Sequence, residues 1–284
     1  MKRLIACITF DFDAMSGLVA RGLTSATPVS RGEFGNVAVP RVLKLLDRFG
    51  IKTSFFIPGV VIDTYPQRCE EILKAGHEIG HHGWTHVPPA NLAPEQEEAE
   101  MVRAIERVKQ LTGKAPVGYR SPSWDLSADT VRLLLKYGFY YESSMMGDDH
   151  TPYRVRQGDK VHLDRGMEFG QPTKLIEMPI SWNLDDFPHF EYLRLPTSVT
   201  PGLMNAGGVL ENWLGDFEYM RRTEEWGILT YTCHPYVIGR GHRMLMLEKL
   251  LAGLQEKGAV FMTLEAAARE WDGRESEDPG PARA

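Results

Sequence analysis

Residues 4 to 13 read LIACITFDFD, an apolar run closing on two carboxylates, Asp11 and Asp13, with Phe12 between them. In an extended chain alternate side chains share a face, so Thr9, Asp11 and Asp13 fall on one side and Phe10 and Phe12 on the other. Two like charges on one face drive each other toward the neutral acid unless a cation or a shared proton intervenes. Further along, HHGWTH carries His82 and His86, a spacing that brings both imidazoles to one side of a helical turn or compact loop, as metal ligation needs. Such a histidine pair alone is more often packing or surface. A carboxylate pair in want of a cation at the same rim tips the reading toward ligation. One carboxylate and two imidazoles make a three-ligand site with a position left for water, the arrangement of hydrolytic zinc. The expected division of labour is Asp13 as ligand and Asp11 as general base. Zinc suits this donor set, and cobalt, nickel, iron or manganese can occupy similar nitrogen and oxygen sites.

Arg120, in GYRSPSW, and His234, in TCHPY, complete the expected chemistry. A metal-activated water attacks an amide-type carbonyl, Asp11 takes its proton and Arg120 holds Asp11. His234 protonates the departing nitrogen, because an amide anion is too basic to leave. The plainer alternatives are a rim salt bridge for Arg120 and a satisfied core histidine for His234. Asp185 and Asp186, in NLDDFP, either orient His234 or cap a turn. Trp124, Trp182, Tyr153 and Phe187 are aromatic candidates for a substrate pocket, weighed against ordinary packing. Arg240, in GRGHR, is a candidate for holding a substrate carboxylate or ring oxygen, weighed against a solvated loop. Cys233 and His234 are strand neighbours facing opposite sides, so they do not make a nucleophile and base.

These residues lie far apart in the chain, so the fold must carry them to one rim. Short β-rich runs, among them LIACITFDF, TSFFI, HEIGHH and GILTYTCH, alternate with amphipathic segments such as PEQEEAEMVRAIERVKQLT and RMLMLEKLLAGLQEKG. That alternation is the pattern of a parallel sheet, whose ligands bind beyond the carboxyl ends of the strands. About seven or eight βα units without a linker predict a single α/β domain over residues 1–271, barrel rather than open sheet. Residues 272–284 read as a frayed tail. Segment 146–175 lacks periodicity and reads as a functional loop or a small hairpin over the site.

Taken in order, TFDFDA, HHGWTH, GYRSPSW, YESS and TCHP resemble the motifs of the polysaccharide deacetylase family across most of the chain. With the residue between the two acids, SWNLDDFP (181–188) and GRGHR (239–243), the chain looks most like one branch of it. That branch contains cyclic imide hydrolases, metal-independent ureide-opening allantoinases and a peptidoglycan-deacetylase-like group. The resemblance implies a distorted (β/α)7 barrel, a divalent metal on Asp13, His82 and His86, Asp11 as base, Arg120 holding Asp11, and His234 as acid. The leading expectation is a metal-dependent hydrolase of non-peptide carbon–nitrogen bonds acting on a small cyclic imide or related amide. The alternative is an N-deacetylase of N-acetylated sugars or peptidoglycan fragments. A binding barrel that has lost turnover is the third reading, and a site holding base, acid and ligands together speaks against it.

A hydrophobic content of 43% and a formal charge of −6 describe a chain able to bury a core, without the basic excess of a nucleic-acid surface. No apolar run is long enough to cross a bilayer, and MKRLIACITFDFD reaches its acids too soon for a secretory leader. Three cysteines without metal-knuckle spacing suit a reducing compartment. The expectation is therefore a cytoplasmic protein with no membrane partner. The Met- and Leu-rich segment 242–254 reads either as core or as the contact face of a homo-oligomer.

Overall fold

The computed structural model describes residues 2–195 and 198–277. The β-branched apolar run at the start forms the central strand β1 (Arg3–Asp11), buried on both faces as a parallel strand must be. Along one edge β1 pairs in parallel with β10 (Trp226–Cys233), from Arg3↔Trp226 to Phe10↔Cys233. Its other edge is shared. β2 (Ser54–Ile57) covers Thr9 to Asp11, and β11 (Val260–Phe261) covers Ile5 and Ala6. The sheet continues in parallel through β3 (Glu78–His81), β4 (Gly118–Tyr119), β5 (Tyr141–Glu142) and β7 (Gln171–Glu177), with β6 (Tyr153–Gln157) antiparallel at the far edge. It curls into the expected distorted barrel. At the seam, Asp185 bridges to Thr232, and the Ile228 N–H donates to the His150 carbonyl at 2.9 Å. A small ribbon, β8 (Leu193–Arg194) with β9 (Val199–Thr200), stands apart from the sheet.

The helices are α1 (Ser16–Ala20), α2 (Ala26–Phe49), α3 (Gly59–Thr64), α4 (Pro66–Lys74), α5 (Pro94–Thr112) and α6 (Thr130–Lys136), then α7 (Asp186–Phe190), α8 (Ala206–Thr223), α9 (Pro235–Ile238), α10 (Gly241–Glu256) and α11 (Leu264–Glu277). Local rules set α5 at both ends. Pro94 occupies its first turn, Gln96 reaches back to the Ala93 N–H at 3.2 Å, and Gly113 at φ 81° turns the chain away. Ile8, Phe10 and Phe12 pack outward with Val39 and Val42 of α2 and Trp213 of α8 in the main core. The inner face at the amino-terminal end, Ile5 and Cys7, packs with Leu264, Ala267 and Trp271 of α11, so this helix plugs that mouth. Polar side chains are left to the opposite rim.

Three elements depart from the sequence pattern. α2 begins at Ala26, well before the apolar periodicity sets in, because its first half lies against the chain beyond β1. A Cβ on Gly32 would come within 2.4 Å of Met15 Cα, and one on Gly35 within 3.1 Å of the Phe12 ring. Tertiary contact there overrides weak helix propensity. Segment 146–175 supplies the β6–β7 hairpin, extended by a Lys160–Glu168 bridge, at the sheet edge rather than over the site. α11 runs through Glu277 where a frayed tail is predicted, and Arg154 pairs with its Asp272 and, at 2.9 Å, its Glu275. The remainder of that tail lies outside the described residues. Among the described residues no helix is long and apolar enough to cross a membrane. The three cysteines are buried and free.

Candidate active site

Asp11 ends β1 and Asp13 follows it, both buried, on the face their alternation predicts. Arg120 follows β4 and is wholly buried. Its Nη1 donates to Asp11 Oδ1 at 2.9 Å and to the Thr9 hydroxyl at 2.8 Å. Its Nε and Nη2 donate to the Ser143 carbonyl at 3.0 Å and hydroxyl at 2.9 Å, and the guanidinium lies 4.3 Å over the Phe56 ring. Asp11 is thereby fixed in direction by a cation that has no freedom to leave.

His82 Nδ1 lies 2.8 Å from the Arg120 carbonyl, which can only accept, so that nitrogen carries the hydrogen. In the neutral ring Nε2 then presents a lone pair, aimed at Asp13 Oδ1 at 3.3 Å and Asp11 Oδ2 at 3.9 Å. Lone pair facing carboxylate is repulsive without a cation. Both His82 Nε2 and Asp13 Oδ1 are buried and lack a hydrogen-bond partner. His86 Nε2 lies 3.1 Å from Asp13 Oδ2, held there by a backbone at φ 63° that a non-glycine residue seldom adopts. Donor atoms of Asp13, His82 and His86 all fall within 4.8 Å of one another. Orphaned lone pairs, two nitrogens and a carboxylate fit a divalent cation. Burial opposes charge on all three, yet His86 and His82 hold the Asp13 carboxyl well below the usual range. His82 is also disfavoured by burial but raised on balance by Asp11 and Asp13, whereas burial leaves His86 lowered against the pull of Asp13.

His234 follows β10 and faces the same cleft. Its Nδ1 lies 2.7 Å from Asp186 Oδ1, while its backbone N–H donates to both oxygens of that carboxylate at 3.1 and 3.0 Å. Nε2 is therefore the atom turned inward, 3.7 Å from Asp13 Oδ2. Burial lowers the His234 pKa, but Asp185 and Asp186 raise it well above the ordinary value, which keeps a proton available. The two aspartates left open by the sequence divide the roles: Asp186 orients His234, and Asp185 Oδ1 caps α7 by accepting from the Phe187 N–H at 2.8 Å. Burial pushes the Asp185 carboxyl up to about 7. Asp185, Asp186 and His234 also lie close enough to hold an ion, but their hydrogen bonds to one another and to backbone already satisfy them.

Asp11, Asp13, His82, His86 and His234 line one cleft. Trp124 and Trp182 line it too, their rings stacked at 4.1 Å and 27°. Arg120 lies behind Asp11 rather than in the cleft. Two expected substrate residues are not part of it. Tyr153 sits on the edge strand β6, where its hydroxyl accepts the Gly147 N–H at 3.1 Å. Arg240 turns onto α2, with its guanidinium 3.6 Å over the Phe34 ring. Ser143 and Arg21 are among the participants not expected from the sequence. Ser143, in the YESS motif, anchors Arg120. Arg21 lines the cleft mouth, and no spacing rule points to it.

Residues 7–141 match the polysaccharide deacetylase family. The chain is 34% identical to a peptidoglycan deacetylase of Helicobacter pylori, over 95% of this chain and 97% of that protein. It is 32% identical to a peptidoglycan deacetylase-like protein of Gibberella zeae, over 95% and 87% of the two chains. Among solved structures, a Mycobacterium smegmatis protein assigned to the polysaccharide deacetylases superposes with a TM-score of 0.84 at 30% identity, covering 96% of this chain and 92% of that one.

Proposed function

Because this chain belongs to the polysaccharide deacetylase family, we propose that it hydrolyses the N-acetyl group of an acetylated amino sugar, releasing acetate and a free amine. The relatives support this reading over the ring-opening of a cyclic imide that leads the sequence expectations. The observation that carries it is the pair of orphaned atoms, His82 Nε2 and Asp13 Oδ1, facing each other 3.3 Å apart below Asp11. Asp13, His82 and His86 would hold a divalent cation, zinc first among the candidates. Such an ion supplies Lewis acidity toward the acetyl oxygen and lowers the pKa of water.

The chain's own residues do the proton work. Asp11, held at Oδ1 by Arg120, keeps Oδ2 toward the cleft and takes the proton of the attacking water. His234, with Nδ1 fixed on Asp186, gives the proton on Nε2 to the nitrogen as the carbon–nitrogen bond breaks. The stacked Trp124 and Trp182 offer an indole wall for the apolar face of a sugar ring.

The test is acetate release from chitooligosaccharides and peptidoglycan fragments, run beside ring-opening of succinimide. Wild-type protein should release acetate. Asp11→Asn should still take up metal while losing about 10²- to 10⁴-fold in turnover. Succinimide opened with no acetate from any N-acetyl sugar would overturn the reading, and full activity in Asp11→Asn would remove the assigned base.

A further inference from the structure

Arg21 follows α1 at the mouth of the cleft. Its Nη1 donates to the Gly17 carbonyl at 2.6 Å, its Nη2 to the Ser123 hydroxyl at 3.3 Å, and the guanidinium stands 5.8 Å over Phe187. It is held in place, yet among the described residues no carboxylate pairs with it. Other arginines are committed, by contrast: Arg31 to Glu191 at 2.7 Å, Arg243 to the same carboxylate at 3.9 Å, and Arg120 to Asp11. The cation also stands close to the reacting centre. A Cβ on Gly17 would lie 3.2 Å from Arg21 Nη1 and 3.3 Å from His86 Nδ1. That imidazole nitrogen is buried and has no hydrogen-bond partner.

Local strain supports the arrangement. Ser123 and Trp124 are consecutive non-glycine residues in the left-handed region, at φ 56° and 54°, a costly backbone that surrounding contacts must impose. It brings the Ser123 hydroxyl to Arg21 and the Trp124 ring onto Trp182, which is 44% exposed. An indole platform and an unpaired guanidinium thus share one entrance. A neutral N-acetyl sugar would use only the platform. Arginine matches the planar fork of a carboxylate.

We propose that Arg21 is a specificity residue selecting an acidic N-acetylated sugar, one with a carboxylate on the reacting sugar or the next. This rests on the deacetylase reading above and narrows its substrate class. A lactyl ether on an amino sugar provides such a group.

The test compares the disaccharide of N-acetylglucosamine and N-acetylmuramic acid with its methyl ester, which removes the charge and keeps the shape. Calorimetric binding to metal-loaded wild type should favour the acid by about tenfold. The acid-to-ester ratio should fall to about one in Arg21→Gln and lie between in Arg21→Lys, which keeps the charge without the fork. A wild-type ratio of about one, or an unchanged ratio in Arg21→Gln, overturns the proposal. Each ratio is internal to one variant, so a general loss of affinity does not disguise the result. Acetate release is followed on the same two compounds. If neither yields acetate the deacetylase reading fails, while the binding ratio still decides the role of Arg21.

Discussion

Arg120 is fully buried, with its guanidinium committed to Asp11, Thr9 and Ser143 at 2.8 to 3.0 Å. Arg120→Ala leaves the Asp11 carboxylate buried beside the His82 imidazole with no fixed cation, which should cost about 3–5 kcal/mol. The urea midpoint checks this. Arg120→Lys should recover only part of it, because one ammonium cannot serve Asp11 and Ser143 in a planar fork. A midpoint unchanged in the alanine variant would mean that this ion pair does not contribute as its burial implies. At this scale much was readable beforehand. Asp11 and Asp13 share a face by period-two alternation, and the His82–His86 spacing suits one ion. The partner of His234 was not readable, because Asp185 and Asp186 are adjacent and only the turn into α7 decides which carboxylate meets the ring.

β5 and β7 run in parallel with Glu142 opposite Glu177, so their side chains meet on one face of the sheet. Both are fully buried, and Glu142 Oε1 and Oε2 and Glu177 Oε2 have no other hydrogen-bond partner. Burial raises both carboxyls. Glu177 lies well above the usual range because the Glu142 charge adds to burial, so the neutral or proton-sharing form is the one the fold prefers. The sign follows. An acid raised in the folded state contributes stability below its unfolded value of about 4.3, and loses it as pH rises through the raised folded value. Glu177→Gln keeps a neutral partner and removes that titration. Between about pH 5 and pH 8 its urea midpoint should fall less than the wild type's. Equal slopes would show that the pair is not proton-linked to folding. Neither glutamate was legible as one of a pair, since the segments meet only when the sheet forms.

Across the whole molecule, the barrel rim gathers the end of β1, the segment after β3, the start of the loop after β4 and the residue after β10 into one cleft. A metal on Asp13, His82 and His86 would tie two of these segments together, and ligand bound only by the folded chain stabilises it by mass action. At a free concentration about 100-fold above Kd the gain is about 2.7 kcal/mol. Chelation should lower Tm in scanning calorimetry, and restored metal should raise it. A Tm indifferent to both would count against a cation at these three residues. The sequence by itself determined what short-range rules control: the faces of β1, the ends of α5, and the residue types able to make a metal centre with an acid and a base. Those depend on strand period, capping and donor chemistry, all local. Only the tertiary structure decided that Tyr153 and Arg240 stand away from the cleft, that Arg21 stands within it, and that the first half of α2 is helical. Each of those outcomes comes from contacts between segments distant along the chain, which local spacing does not encode.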